Sequence, residues 1–165
     1  MTGRANVGDP GAGRSREHGL VEVLDELECR RLLCLAVIGR LAYTEGALPA
    51  IQPVHFTVHK DRVLIPTSAG SKVAAASRGA VVAFEVDDFD PENRTGWNVT
   101  VVGPAQVVSA PADVAVLDRL GVAAWAPADA PCYIAIETTL VRGRRIVALP
   151  EPAQVPTVAA GERRG

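Results

Sequence analysis

The chain has 165 residues, of which 48% are hydrophobic and 22% are charged, and its formal net charge is −2. This length suits a single domain whose core needs no disulfide or metal to hold it together, and the hydrophobic fraction excludes a disordered chain. The slightly acidic balance argues against a nucleic-acid-binding protein, whose surface usually carries an excess of basic residues. No apolar run is long enough to cross a bilayer, so no membrane partner is expected.

The cysteines and the two ends of the chain narrow the class further. Three cysteines without a CxxC or Cys/His cluster predict neither a disulfide framework nor a metal site. Residues 1–19 are rich in Gly and Arg and lack the apolar stretch of a signal peptide. Residues 150–165 are rich in Pro and Ala. The sequence therefore predicts one domain over residues 20–149, flexible tails at 1–19 and 150–165, and a cytoplasmic location.

The pattern of apolar residues predicts a helix followed mainly by strands. Apolar spacings of three and four, with acids early and arginines late, predict an amphipathic helix over Val21–Leu35. Shorter helices are predicted over Ser71–Ser77 and Pro111–Leu120. The predicted strands are Arg40–Thr44, Ala50–Val58, Arg62–Thr67, Ala80–Val86, Trp97–Val108 and Tyr133–Val147.

Three irregularities are predicted within this order. The stretch Asp87–Gly96 has the composition of a polar loop. Gly103–Pro104 indicates a bend within its strand, and the last strand is expected to break near Arg142–Gly143. Because the connections are short, the strands are expected to pair antiparallel. The predicted fold class is mainly β with flanking helices, built on six antiparallel strands that close into a barrel.

The segment Pro66–Lys72 has the composition of a phosphate-binding turn. Thr67, Ser68 and Ser71 offer hydroxyl groups, Lys72 offers a cation, and a glycine allows a tight backbone path before a helix N-terminus. The spacing is not that of a P-loop. From the residues alone, a capped helix with no ligand is an equally valid interpretation.

The stretch Pro49–Ala75 resembles the cofactor-binding hairpin of the pyridoxamine 5′-phosphate oxidase-like superfamily, especially the branch that includes nitroimidazole-resistance proteins. The family pattern is a strand with a proline and spaced apolar residues, a short turn, and a strand ending in T-x-x-G-S-[KR]. The similarity extends to residues 39–42, 83–90 and 95–108. The matching positions within the hairpin are Pro49, Ile51, Val54, Phe56, Thr67, Gly70, Ser71 and Lys72.

The resemblance implies a split β-barrel homodimer with FMN in clefts between the subunits. It implies that the segment Gln52, Pro53, Val54, His55 and Phe56 lines the isoalloxazine ring, largely through backbone groups. The ribityl phosphate would be held by Thr67, Ser68, Ser71 and Lys72. Asn98 stands where the family often has an amide that touches the ring, and Trp97 beside it could pack on the ring or in the substrate space.

The function that this resemblance implies is an FMN-dependent oxidoreductase that reduces a small organic substrate. His55 is the candidate for proton transfer, although a histidine in a barrel wall is the plainer interpretation. The C-terminal arginine motif of the oxidase proper is absent, so pyridoxamine phosphate oxidation itself is not expected. Val73 also stands where the family often has a second basic residue. A deazaflavin or haem in place of FMN, and a non-catalytic flavin-binding or scaffold dimer, are the alternatives.

Overall fold

The computed structural model describes residues 20–68, 73–74, 78–121 and 131–148. These residues form nine strands and two helices. The helices are α1, Glu26–Leu35, and α2, Pro111–Asp118. The strands are β1 Leu20–Leu24, β2 Ile38–Glu45, β3 Leu48–His55, β4 Thr57–His59, β5 Arg62–Ser68, β6 Val81–Asp90, β7 Thr95–Val108, β8 Pro131–Glu137 and β9 Leu140–Val147.

The strands form one antiparallel sheet that curls into a split barrel. Its hydrogen-bonded order is β3-β2-β6-β7-β8-β5-β4, with β9 also pairing β7 and β1 pairing β9. The first and last strands of this order, β3 and β4, are separated only by Phe56. The chain itself therefore joins the two ends of the sheet. No ladder joins β3 to β5 among the described residues, and this gap is the split.

Strand β7 changes its partner halfway along its length. Residues 96–102 pair with β9 and residues 105–108 pair with β8. The change occurs at Gly103, where a Cβ atom would overlap the backbone carbonyl of Glu137. The bend predicted at Gly103–Pro104 lies at this crossing, where one strand leaves the ladder and another enters it.

The core fills the inner face of the curled sheet. Buried side chains alternate with outward ones along β6, where Val82, Phe84 and Val86 are buried. Phe56 is 5% exposed and meets Phe84 edge-on, with ring centroids 4.7 Å apart. Strand β8 differs because Cys132–Ile136 are all buried, which is expected of a strand covered on both faces.

Helix α2 covers the second face of β8. Val114 of α2 packs in a small cluster with Leu64, Tyr133 and Ala135. The Tyr133 hydroxyl donates a hydrogen bond of 2.8 Å to the Asp118 carboxylate. Burial, followed by this bond to Asp118, raises the pKa of Tyr133 to about 12. The hydroxyl therefore stays protonated and pins α2 to the sheet at neutral pH.

The helix predicted over Val21–Leu35 is wrong at its start. Leu20–Leu24 forms strand β1, paired with β9, and α1 begins at Glu26. Asp25 caps the helix, since its Oδ1 accepts a hydrogen bond of 2.8 Å from the Glu28 amide. Residues 20–24 form a strand because their backbone pairs with β9. The spacing of apolar residues in the sequence does not reveal this distant partner.

The strand count and two boundaries also differ from the prediction. The polar loop expected over Asp87–Gly96 shrinks to a turn at 91–94, because β6 continues to Asp90 and β7 begins at Thr95. The last strand breaks at Thr138–Thr139 instead of Arg142–Gly143. The strand predicted over Ala50–Val58 is interrupted at Phe56. Two of the six predicted strands are thus each divided in two, and β1 replaces the start of the predicted helix, which gives nine strands. The mainly β, antiparallel split barrel with flanking helices is confirmed.

Two further predictions fall largely outside the described residues. Both predicted tails, 1–19 and 150–165, lie there entirely. Of the helix predicted over Ser71–Ser77, only Val73 and Ala74 are described, and both are helical and buried. No helix in the described part of the chain is long and apolar enough to cross a membrane.

Candidate functional site

The predicted cofactor strand and the predicted phosphate segment lie on either side of the split. Strands β4 and β5 pair with Thr57 opposite Leu64. If that register continued past Phe56, Thr67 would stand opposite Val54 and Ser68 opposite Pro53. Strands β3 and β5 approach each other in space without forming a ladder. The structure thus brings β3 and the end of β5 together around an open gap.

The side chains around this gap differ in exposure. Gln52 and Pro53 are exposed, and Val54 and His55 are half-buried. Thr67 and Ser68, at the end of β5, are also half-buried. Phe56 points into the core, so only its backbone is available to a ligand. Ser71 and Lys72 lie outside the described residues.

Val73 has a structural reason for being apolar. Its side chain is 7% exposed and belongs to the barrel core, and the neighbouring Ala74 is fully buried. A basic side chain at position 73 would place a charge among apolar groups, which costs several kcal/mol. A second phosphate-binding cation therefore cannot come from position 73 without disrupting the core.

Trp97 and Asn98 do not join this gap within one chain. Two strands, β2 and β6, separate β7 from β3, a distance of roughly 14 Å at the usual strand spacing. The two side chains also face opposite sides of the sheet. Asn98 Nδ2 donates a hydrogen bond of 3.0 Å to Glu85 Oε1 on the outer face, so this amide already has a partner in the monomer.

Trp97 instead lines a separate cleft of about 510 Å³ beside the C-terminal end of α1. The cleft is bounded by α1, by the connection to β2, and by the ends of β6, β7 and β9. Ile38 forms part of its wall and is the cross-strand partner of His55. The lining residues are Arg31, Leu32, Leu35, Ala36, Val37, Ile38, Asp87, Asp88, Trp97 and Arg145.

Two arginines of this cleft are held by one carboxylate. Arg31 Nε donates a hydrogen bond of 2.7 Å to Glu28 Oε2, and Arg145 Nη2 donates to Glu28 Oε1. These bonds, from Arg31 first and Arg145 second, lower the pKa of Glu28 from 4.5 to about 2. Glu28 is therefore ionised at neutral pH. The sequence prediction missed Arg31 and Arg145, although Arg145 stands directly opposite Trp97 in the β7–β9 ladder.

The outer face of the sheet is unusually apolar for a surface. The residues that alternate with the buried ones include Val23, Ile51 and Val81, which are 84%, 71% and 70% exposed. An ion pair between Arg40 and Asp87 lies among them. Soluble monomers seldom expose a contiguous apolar patch, and such a patch usually marks an interaction site.

No group of three or more His, Cys, Asp or Glu side chains in the described part of the chain could hold a metal ion.

Comparison with known proteins identifies the family. The sequence profile of the family described as pyridoxamine 5′-phosphate oxidase matches residues 25–147. The chain belongs to the pyridoxamine 5′-phosphate oxidase-like family. It is 43% identical over 146 residues to the uncharacterized protein Rv0080 of Mycobacterium tuberculosis, covering 84% of this chain and 95% of that protein.

Solved structures of this family share the fold. The structure of the FAD binding protein from Mycobacterium smegmatis is 33% identical, has a TM-score of 0.64, and covers 76% of this chain and 99% of its own. A conserved protein of unknown function from Corynebacterium diphtheriae is 29% identical with a TM-score of 0.65, covering 77% and 98%. The neighbours of this pyridoxamine 5′-phosphate oxidase-like chain thus include a protein described as flavin-binding, and the resemblance drawn from Pro49–Ala75 is confirmed.

Proposed function

We propose that this protein binds a flavin nucleotide at the split between β3 and β5 and uses it to reduce a small organic substrate. The observation that carries the proposal is the approach of β3 to β5 without a ladder between them, with Thr67 and Ser68 at the end of β5. A bound flavin would supply two-electron transfer, which amino-acid side chains alone do not provide. The protein's part is to bind, orient and shield it.

The residues around the split fit both ends of a flavin nucleotide. The hydroxyls of Thr67, Ser68 and Ser71 and the ammonium of Lys72 would hold the phosphate that ends the ribityl chain. The edge of β3 that faces β5 carries backbone N–H and C=O groups outside any ladder of the described residues. These groups would hydrogen-bond the ring along the segment Gln52–Phe56.

His55 is the residue we assign to proton transfer in this function. It is half-buried at the end of β3, and its cross-strand partner Ile38 lines the Trp97 cleft. A histidine at that position would stand beside the ring. Histidine is the side chain that enzymes use most often for proton transfer.

The proposal also concerns which flavin nucleotide is bound, FMN or FAD. The resemblance in Pro49–Ala75 implies FMN, whereas the relative that is 33% identical is described as an FAD binding protein. FMN and FAD carry the same ring and the same ribityl phosphate, so the residues at the split suit both. The identity of that relative favours FAD. A structure described as a FAD and heme binding protein is only 17% identical, and it supports the fold without supporting haem here.

The proposal includes a homodimer formed through the outer face of the sheet. A second copy would cover Val23, Ile51 and Val81, whose exposure in the monomer is unfavourable. Two pairs of polar groups on this face, Arg40 with Asp87 and Asn98 with Glu85, can be buried at lower cost because each already has its partner. Arg142 and Arg144 also lie on this face and are exposed, so they would have to stay at the rim of the interface or meet acids of the second copy. A second copy would also bring a partner's β7 towards the split, which one chain does not do.

The two lysines of the chain provide a matched test of the flavin site. Lys72→Ala removes the proposed phosphate cation, and Lys60→Ala removes the only other lysine, in an exposed turn. We expect Lys72→Ala to raise the flavin Kd by about tenfold or more, the loss of one charge-assisted contact, and Lys60→Ala to leave it unchanged. Flavin fluorescence titration measures both. Equal affinities in the two variants would contradict the phosphate assignment, and a lack of turnover with NADH or NADPH would contradict the reductase assignment.

A further inference from the structure

We propose that the Trp97 cleft binds a planar aromatic compound that carries one negative charge, such as an aromatic carboxylate. The cleft lies on the inner side of β7 beside α1, away from the phosphate segment at the end of β5. Its binding is therefore a second property of the protein and goes beyond the proposed flavin function.

The shape and lining of the cleft favour a flat apolar ligand. Its volume of about 510 Å³ is within the range of small-molecule sites. Leu35, Val37 and Ile38 are 62%, 59% and 39% exposed in its wall, although apolar side chains of this size gain free energy when covered. Trp97 packs on the barrel core at one edge and faces the cleft with the rest of its surface. An aromatic ring between the indole and these side chains would bury apolar area on both of its faces.

The arginines of the cleft set the charge of the ligand. Arg31 and Arg145 both line the cleft, whereas Glu28, the one carboxylate they bind, does not. The two guanidinium groups share the charge of Glu28, and Asp88 in the same cleft offsets the positive charge that remains, so the N–H donors of the arginines, and not an excess of positive charge, would recognise the ligand. Each guanidinium has five N–H donors. Arg31 uses two groups on Glu28 and Arg145 uses one. The remaining donors are suited to a carboxylate.

The two aspartates of the cleft differ in their effect on an anionic ligand. Asp87 is neutralised by its ion pair with Arg40. Asp88 is exposed and is the cross-strand partner of Trp97, so its charge lies beside the ring and opposes an anionic ligand. The side chains of Asp88, Trp97, Arg145 and Glu22 form one row across β6, β7, β9 and β1. Removing the charge of Arg145 should weaken the binding of an anion, and removing the charge of Asp88 should strengthen it.

A pair of probes of nearly equal shape tests this charge preference. Isothermal titration calorimetry at pH 7 would compare 2-naphthoate, an anion, with 2-naphthamide, its neutral counterpart. We expect 2-naphthoate to bind about tenfold more tightly, as one charge-assisted contact to arginine predicts. Arg145→Gln should abolish this preference, and Asp88→Asn should strengthen 2-naphthoate binding severalfold. Equal binding of the two probes to the wild-type protein would overturn the proposal.

Three controls separate this result from folding and from the flavin. Arg119→Gln, an exposed position at the end of α2, should leave binding of both probes unchanged. Arg31→Gln, whose side chain is 57% exposed, provides a second cleft variant if Arg145→Gln fails to fold. Lys72→Ala should weaken flavin binding and leave 2-naphthoate binding intact. Loss of both ligands in Lys72→Ala would place 2-naphthoate at the flavin site and contradict the cleft assignment.

Discussion

At the residue scale, Gly103 has the least room of the residues that shape β7. A Cβ atom there would overlap a backbone carbonyl, which cannot rotate away as a side chain can. We expect Gly103→Ala to lower the free energy of unfolding by roughly 3 kcal/mol, the upper end of overpacking costs. Urea denaturation measures this change.

Gly46 provides the control for this substitution. It has a φ of +56°, and a Cβ atom there would meet no heavy atom within 4 Å. Gly46→Ala should therefore cost only the left-handed backbone penalty, about 1 kcal/mol. If the two variants lost the same stability, the close approach of β7 and β8 at Gly103 would be contradicted.

The carboxylate of Glu28 predicts how stability responds to acid. Its pKa falls from 4.5 when unfolded to about 2 when folded. Its contribution is therefore fully present above pH 4.5 and is lost as the pH falls towards 2. We expect Glu28→Gln to be less stable than the wild type at pH 7 and to approach it as the pH drops through this window. Urea midpoints from pH 7 to pH 2 measure the difference.

Glu92→Gln is the matched control for Glu28. Glu92 is an exposed carboxylate in the turn between β6 and β7. Its substitution should leave the pH dependence unchanged. A stability gap between Glu28→Gln and the wild type that stayed constant down to pH 2 would show that the two arginines do not hold this carboxylate.

At the element scale, the start of α1 depends on one cap. Asp25 accepts the hydrogen bond of the Glu28 amide, which no helical carbonyl could accept. We expect Asp25→Ala to lower the free energy of unfolding by about 1 kcal/mol. Asp25→Ser should keep most of the wild-type stability, because serine also caps helices. Thermal or urea denaturation measures both. Equal losses in the two variants would contradict a capping role.

Strand type could be predicted from the sequence, whereas several element boundaries could not. The nearly continuous apolar run of Ala80–Val86 and the glycine and proline of β7 are local signals, and they predicted these strands and the bend. The change from β1 to α1 is also marked locally by Asp25 and Glu28, a cap pattern that the apolar periodicity of Val21–Leu35 obscured. By contrast, the polar composition of Asp87–Asp90 suggested a loop. Those residues are strand because β7 lies alongside them, and that contact is tertiary.

At the scale of the whole molecule, the apolar outer face predicts a dimer. Ile51→Glu would place a charge on β3 within the proposed interface, where burial is costly. We expect this variant to be monomeric at concentrations where the wild type is a dimer. Val116→Glu, a similarly exposed apolar position on α2, should remain dimeric. Sedimentation equilibrium distinguishes the two, and a monomeric wild type would contradict the interface.

The two halves of the candidate site differ in how far the sequence could predict them. The phosphate segment is nearly contiguous, from Thr67 to Lys72, so its composition and the adjoining β3 pattern were sufficient to indicate it. The cleft of Arg31, Trp97 and Arg145 combines three distant parts of the chain. Only the pairing of β7 with β9 and the packing of α1 on the barrel bring them together. The sequence indicated Trp97 alone, as a residue of the flavin or substrate space, and gave no sign of Arg31 or Arg145 beside it.

The most direct test of the proposed function is the cofactor carried by the purified protein. The protein would be purified without added cofactor, its visible absorption spectrum recorded, and the ligand released by denaturation and identified by mass spectrometry. The account predicts an oxidised flavin spectrum and a released FAD, or FMN if the second phosphate is not required, at about one per chain, with Lys72→Ala carrying much less. A colourless protein that also failed to bind either flavin on titration would contradict it.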